Sequence, residues 1–343
     1  MTTLDKMQDD YNRGLAGATH LLLIGHTKTG KSDYVAQAAK DGFQVIYIDR
    51  DNGLETLMSS LGDDMEAKAR IHYFAPEDMA GFIEGLLTKS IFRHNLRTNK
   101  EPEFSDKPTD RIIEFRPTKI PVGTILAIDS WTTLCLQIIE KQAEKRKIDL
   151  MDVDKYSREI YGGTGFKATQ IATMLQHTPF HVIVQAHPGY YERKEKPANV
   201  SGKIDEKDMI IRETTQVPIS TSMPHGASIG KFFNQIGWLY VDSFDRRVLD
   251  FKPQNGRLGS GTPGGIANPR GDYRFSKIFS PAPPYPPSDS WMTEMTTEEM
   301  RAKSQKGSAF NKPKDDSPAP AATAATEIAV PKLGSKLMIG GKK

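Results

Sequence analysis

The fold is decided by the stretch Gly25-His26-Thr27-Lys28-Thr29-Gly30-Lys31-Ser32. An apolar segment that suits a buried strand precedes it, and an Ala-rich segment that suits a helix follows it. Two glycines at this spacing let the backbone curl, so that successive N–H groups point at one phosphate beside the positive end of the new helix. The pattern G-x-x-x-x-G-K-S therefore predicts a phosphate-binding loop between a strand and a helix.

Two side chains of this loop carry its expected chemistry. In such loops the lysine, here Lys31, reaches the β- and γ-phosphates of a nucleotide, and the hydroxyl of the next residue, here Ser32, is offered to Mg²⁺. We therefore expect ATP and Mg²⁺ as ligands. The expected nucleotide contacts are Gly25, His26, Thr27, Lys28, Thr29, Gly30, Lys31, Ser32 and Asp33.

Three other predicted strands end in polar residues. Asp49 and Asp51 follow a segment dense in β-branched and aromatic residues. Asp129 follows four apolar residues, and we expect it to hold Mg²⁺ together with Ser32, with capping of the next helix as the alternative role. Gln185 and His187 lie at the end of a further strand, where either a polar residue senses the γ-phosphate or both are turn residues. Because ligands bind at the carboxyl ends of parallel strands, these residues predict one shared site.

Composition excludes several classes of protein. The chain has 343 residues, and 46 Lys and Arg nearly balance 43 Asp and Glu, which is unlike a protein that holds nucleic acid by bulk charge. Cys135 is the only cysteine, which excludes an internal disulfide framework and fits a reducing cytoplasm. Residues 1–13 carry no apolar signal-peptide core, and no apolar stretch approaches 18 residues, so we expect no membrane association.

The pattern along the chain predicts a lead-in (1–18), an α/β domain (19–280) and a disordered Pro-rich tail (281–343). The domain should hold a mostly parallel sheet with flanking helices and a C-terminal antiparallel extension. Residues 97–119, with three prolines, are predicted to be a surface insertion. Residues 188–222 are predicted to be a mobile loop, which either contacts single-stranded DNA through aromatic and basic side chains or is simply solvated. The tail either binds a protein partner or is a free terminus.

These motifs together resemble the RecA/RadA core ATPases, a group of P-loop NTPases. The resemblance is carried by the loop at residues 25–32, by the strand that ends Tyr47-Ile48-Asp49-Arg50-Asp51, and by the strand that ends Asp129-Ser130. It covers about residues 17–275, and the nearest counterparts are small phage-encoded proteins of single-strand annealing or recombination. The resemblance implies a RecA-like fold and an ATPase of DNA recombination, replication or repair, which acts on single-stranded DNA in the host cytoplasm.

The resemblance also implies roles for particular residues. Beside Lys31, the catalytic residues would be Asp51, which polarises the attacking water where the family usually has Glu, and Gln185, which couples nucleotide state to the DNA-binding loops. Lys231 and Arg270 lie in the region from which such proteins send a basic residue toward a neighbour's phosphate, which implies a ring or short homo-oligomer.

Two other functions stay open from the sequence. A nucleotide-binding switch or scaffold with little turnover, recruiting partners through its tail, is suggested by Asp51 in place of Glu. A small-molecule kinase is disfavoured because the sequence lacks a compact Arg-rich lid.

Overall fold

A computed structural model describes residues 18–149, 157–195, 209–252, 256–258, 270–271 and 290–309. The strands are β1 (His20–Ile24), β2 (Val45–Asp49), β3 (Ile71–Phe74), β4 (Phe92–Asn95), β5 (Arg111–Phe115), β6 (Ile125–Asp129), β7 (His181–Ala186), β8 (Pro188–Glu195), β9 (Ile210–Pro218), β10 (Gln235–Val241), β11 (Arg247–Asp250), β12 (Arg270–Gly271) and β13 (Met292–Thr296). The helices are α1 (Lys31–Lys40), α2 (Leu54–Leu61), α3 (Met65–Ala69), α4 (Met79–Thr88), α5 (Trp131–Arg146), α6 (Ser157–Gln176), α7 (Met223–Ile229) and α8 (Thr297–Ala309), with 3₁₀ turns at Pro117–Lys119 and Gly230–Phe232.

The chain divides into two units after Met300. The first unit holds every strand named above. The second unit, Arg301–Lys343, is described only at residues 301–309, where α8 continues. None of the helices in the described part of the chain is both long and apolar enough to span a lipid bilayer.

An eight-stranded sheet forms the centre of the first unit, in the order β12-β11-β10-β1-β7-β6-β2-β3. The strands from β10 to β3 are parallel to one another, whereas β11 and β12 are antiparallel to their neighbours. The fold is therefore α/β with a mostly parallel sheet, and the predicted C-terminal antiparallel extension is confirmed by β11 and β12.

Successive residues of the parallel strands point to opposite faces of the sheet, and both faces are buried. In β1, Leu22 and Ile24 belong to the apolar core that includes residues of α4, α5 and α6. Leu21 and Leu23 belong to the core that includes residues of α1 and α2. This two-sided burial explains the continuous apolar runs, and it leaves the polar strand ends at the carboxyl edge of the sheet.

A smaller antiparallel sheet, ordered β13-β5-β4, corrects two sequence-based expectations. Residues 97–119 are not only a surface insertion, because they include β5, in which Ile112 and Phe115 are fully buried. The disordered tail predicted from 281 is wrong for residues 291–300, since β13 pairs with β5 and Trp291 is fully buried. Apolar side chains of β5 and of the segment that holds β13 are therefore buried in the same core. Residues 281–289 and 310–343 lie outside the described residues, as do residues 1–17 of the lead-in.

The predicted mobile loop at 188–222 is largely regular. β8 and β9 pair as an antiparallel two-stranded ribbon, from Pro188 opposite Pro218 to Glu195 opposite Ile210, with a bulge near Arg193. We refer to β8 and β9 as the ribbon. Between them, residues 196–208 lie outside the described part of the chain. The ribbon begins two residues after the central strand β7 ends, so it rises from the same edge of the sheet as the candidate site.

Candidate functional site

The predicted phosphate-binding loop lies between β1 and α1, as its chemistry requires. Gly25 is needed for close approach, because a Cβ there would lie 2.6 Å from the carbonyl oxygen of Leu239 on β10. Gly30 has a φ of 101°, a backbone conformation that favours glycine. The two glycines of the motif thus allow the backbone of the loop to follow its tight path.

Lys31 lies inside the loop. Its side chain is buried, and its ammonium donates hydrogen bonds to the carbonyl oxygens of Gly25 (2.8 Å) and His26 (3.0 Å). Burial lowers the pKa of Lys31, and the carboxylates of Asp129 and Asp51 partly oppose that shift. The ammonium is therefore held by two carbonyl groups at the start of the loop.

The other loop residues differ in exposure. His26, Thr27 and Lys28 are exposed at its tip, whereas Thr29 is buried and donates a 2.8 Å hydrogen bond to the carbonyl oxygen of His26. Asp33, in the first turn of α1, accepts a 2.6 Å hydrogen bond from Arg247 at the start of β11. Asp33 thus ties α1 to the antiparallel edge of the central sheet.

Ser32 and Asp129 meet at the carboxyl edge of the sheet, although they are 97 residues apart in the chain. The Ser32 hydroxyl lies 3.2 Å from Oδ2 of Asp129. The same carboxylate oxygen accepts a 2.5 Å hydrogen bond from the hydroxyl of Tyr47 on β2. A cis peptide bond joins Asp129 to Ser130, which begins the turn into α5. The structure thus brings the two predicted Mg²⁺ ligands together.

The electrostatics of Asp129 follow from its burial. Burial raises the pKa of this carboxyl to about 6, against the hydrogen bond from Tyr47, which lowers it. Nearby Asp49 and Asp51 raise the pKa further, because each adds negative charge. Burial and the Asp129 charge also raise the pKa of the Tyr47 hydroxyl well above its usual value. This concentration of negative charge suits a cation.

Three oxygen atoms of the site pack closely against Gly53. A Cβ added to Gly53 would lie 2.9 Å from Oδ2 of Asp129, 3.0 Å from the Tyr47 hydroxyl and 3.3 Å from the Ser32 hydroxyl. These distances are shorter than ordinary van der Waals contact, so the three oxygens lie close together and leave no room for a side chain at position 53. Among the described residues, no group of three or more His, Cys, Asp or Glu side chains is arranged so that it could hold a metal ion by itself. Mg²⁺ commonly binds through one or two carboxylates together with substrate phosphates and water, so Ser32 and Asp129 fit it.

Asp51 lies at the same carboxyl edge of the central sheet, and three side chains contact its carboxylate. Ser130 donates a 2.6 Å hydrogen bond to Oδ2, Thr133 donates to Oδ1, and Nε2 of His187 lies 3.5 Å from Oδ2. Burial by itself favours the neutral acid, but the contacts with His187, Ser130 and Thr133 outweigh it and lower the pKa of Asp51 to about 2. Asp51 is therefore ionised, and both its oxygens are engaged within the protein.

Gln185 lies between the phosphate-binding loop and Asp129, because β7 separates β1 from β6 in the sheet. Its side chain is fully buried, and its Nε2 is 3.5 Å from the Tyr47 hydroxyl. Its Oε1 has no hydrogen-bond partner among the described residues. A buried amide oxygen without a partner is costly, so this group is available to a donor that enters the site.

The two predicted trans-acting residues lie on other elements of the structure. Lys231 is an exposed residue of the 3₁₀ turn, with its ammonium 5.0 Å from the centre of the Phe232 ring. Arg270 begins β12, where it is paired with Asp250, and its side chain is outside the described part of the structure.

Sequence reasoning missed four residues of the site, which are Tyr47, Gly53, Ser130 and Thr133. One signal was available for Tyr47. It lies two residues before Asp49 on β2 and so shares a face with it, and β2 pairs with the strand that ends in Asp129. The contacts of Thr133 and His187 with Asp51 join distant segments, and no local pattern indicates them.

Comparison with known proteins does not assign the chain to a family. No protein family model matches the chain, and no curated protein matches its sequence.

Proposed function

We propose that this chain is a RecA-like P-loop ATPase, which binds ATP with Mg²⁺ and hydrolyses it in DNA recombination, replication or repair. One observation carries the proposal. The hydroxyl of Ser32 and the carboxylate of Asp129, from distant segments, lie 3.2 Å apart beside the buried ammonium of Lys31. A hydroxyl, a carboxylate and a lysine at the start of a helix are the groups that P-loop NTPases use for Mg²⁺ and phosphate.

The residues divide the chemistry among them. Backbone N–H groups of the loop and the start of α1 bind phosphate oxygens, and Lys31 neutralises charge on the β- and γ-phosphates. Bound Mg²⁺ supplies further neutralisation of the phosphate charge. Asp51 orients a water for attack on the γ-phosphorus, so that one P–O bond forms as the bond to ADP breaks. The products are ADP, inorganic phosphate and a proton.

Single-stranded DNA is the proposed partner, and the ribbon supports this choice. Tyr190 is exposed, Tyr191 is partly exposed, and Arg193 and Lys194 follow them on β8. Aromatic side chains stack on bases and cations contact the backbone, without sequence preference. The ribbon begins three residues after Gln185, so DNA bound to the ribbon would lie near the candidate site.

Assembly into a homo-oligomer is part of the proposal. A basic residue from a neighbouring subunit, either Lys231 or Arg270, would complete the charge neutralisation, and such residues typically contribute about 10³- to 10⁵-fold in rate. Specific activity should then rise with protein concentration.

ATP hydrolysis with Mg²⁺, measured with and without single-stranded DNA, tests the proposal. We expect DNA to raise turnover in the wild-type protein. Lys31→Ala should abolish most of this turnover because the phosphates lose their main cation. Turnover that is unchanged in a folded Lys31→Ala variant would refute the proposal.

A second candidate is a nucleotide-binding switch with little turnover, whose tail recruits a protein partner. The engagement of both Asp51 oxygens by Ser130, Thr133 and His187 favours it, because a carboxylate already bonded is less free to orient water. Tight binding of ATP without hydrolysis, both with and without DNA, would support the switch.

A further inference from the structure

His187 occupies the junction between the central sheet and the ribbon. It is the residue between β7 and β8. Its backbone N–H donates to the Thr132 hydroxyl on α5 (3.2 Å), and its carbonyl oxygen accepts from the N–H of Ile219, just after β9 (2.8 Å). His187 therefore lies at the base of the ribbon, where its backbone links α5 to the residue that follows β9.

The side chain of His187 points at the candidate site. Its Nε2 lies 3.5 Å from Oδ2 of Asp51, and the two side chains are 28 % and 25 % exposed. Asp51 and His187 are far apart in the chain, and Ser130 binds the same carboxylate oxygen. A movement of the ribbon base that shifts His187 thus changes the hydrogen bonding of the carboxylate that would orient water.

We infer that His187 is a positioning residue that couples the ribbon to Asp51. When the ribbon changes position, His187 releases or tightens its contact with Asp51, and a ligand at the phosphate-binding loop acts on the ribbon through the same contact. Coupling between two sites is reciprocal, so it is measurable from either side. This inference rests on the proposed function, since it requires a nucleotide at the loop.

A second contact at the ribbon base offers a competing route. Nε1 of Trp131, the first residue of α5, donates a 3.0 Å hydrogen bond to the hydroxyl of Ser220, two residues after β9. This contact does not involve Asp51. A variant of His187 therefore separates the two routes.

Hydrogen–deuterium exchange with Mg·ATPγS as the probe tests the inference without turnover or DNA. In the wild-type protein, we expect the probe to protect residues 25–40 and to change exchange in the ribbon, at 188–195 and 210–218, at least about fivefold. In His187→Ala, protection of 25–40 should persist and the ribbon response should disappear. His187→Gln, which keeps a side-chain N–H donor, should restore part of it.

The matched control is His177→Ala. His177 is an exposed histidine directly after α6 whose ring is hydrogen-bonded to the carbonyl oxygen of Thr173, and it has no contact with Asp51. This variant should respond like the wild-type protein. Thermal melting of each variant checks that it is folded before exchange is measured.

The outcomes separate the two claims. If Mg·ATPγS does not protect residues 25–40 in the wild-type protein, the proposed function fails. If it protects them while the ribbon does not respond, or responds equally in folded His187→Ala, then the assignment to His187 is wrong and the nucleotide site stands. Loss of the ribbon response in His177→Ala would also overturn it.

Discussion

Gly53→Ala should damage the metal site while it leaves the fold intact. The backbone itself accepts alanine, because Gly53 has φ −71° and ψ −9°, and it precedes α2. Without new contacts, such a change stabilises a protein by about 0.4–1 kcal/mol through the unfolded state. The effect is therefore decided by what the added methyl group meets.

The methyl group would meet the oxygens of the candidate metal site. It would lie 2.9 Å from Oδ2 of Asp129 and 3.0 Å from the Tyr47 hydroxyl, whereas ordinary contacts begin near 3.4 Å. Overpacking of this kind costs about 1–3 kcal/mol, so we expect a net loss of about 1 kcal/mol in the free energy of unfolding. To relieve the contact, Asp129 must move by about 0.5 Å. Because a 1 Å misplacement can cost about 100-fold, we expect kcat/KM for Mg·ATP to fall about tenfold.

Steady-state ATP hydrolysis and thermal melting measure the two effects on one preparation. Gly162→Ala is the matched control, since Gly162 lies within α6 and a Cβ there has no neighbour within 4 Å. That control should gain about 0.5–1 kcal/mol of stability and keep full activity. A folded Gly53→Ala protein with unchanged affinity for Mg²⁺ and unchanged kcat/KM would refute the placement of the metal beside Ser32 and Asp129.

Two further predictions concern pH and the C-terminal residues. Because burial raises the pKa of Asp129 to about 6, its carboxyl takes up a proton as the pH falls through that value, and the proton competes with Mg²⁺. The apparent Kd for Mg²⁺ should thus rise about tenfold per unit below pH 6 and stay level above it, and a Kd that is level from pH 5 to 8 would contradict this. Deleting 310–343 should leave the Tm unchanged, whereas deleting 290–343 also removes the buried Trp291 and should cost at least about 3 kcal/mol by denaturant unfolding. Equal stability of the two truncated proteins would show that β13 contributes nothing to the core.

Local pattern was sufficient for the parallel sheet and for the strand, loop and helix around residues 25–32. Strands buried on both faces give continuous apolar runs, and the loop motif needs its two glycines for stated backbone reasons. The meeting of Ser32 with Asp129 was also expected, because the carboxyl ends of parallel strands share one edge.

Pairings between distant segments could not be predicted in this way. Arg111 of β5 bonds to Glu294 of β13, 183 residues later, and the composition around each strand indicates a loop or a disordered tail. The ribbon was missed for a similar reason, since its charged and aromatic residues are mostly exposed and carry little apolar alternation. The contacts of Thr133 and His187 with Asp51 likewise join segments that are far apart in the chain.

The most direct test of the central claim is calorimetric titration of the full chain with Mg·ATPγS, beside a Lys31→Ala variant. We expect saturable binding at one site per chain. The variant should bind at least about 30-fold more weakly, because loss of one member of a bonded charge pair costs about 2–5 kcal/mol. Absence of binding by the wild-type protein, or equal affinity in a folded Lys31→Ala variant, would contradict the assignment of residues 25–32 as a nucleotide site.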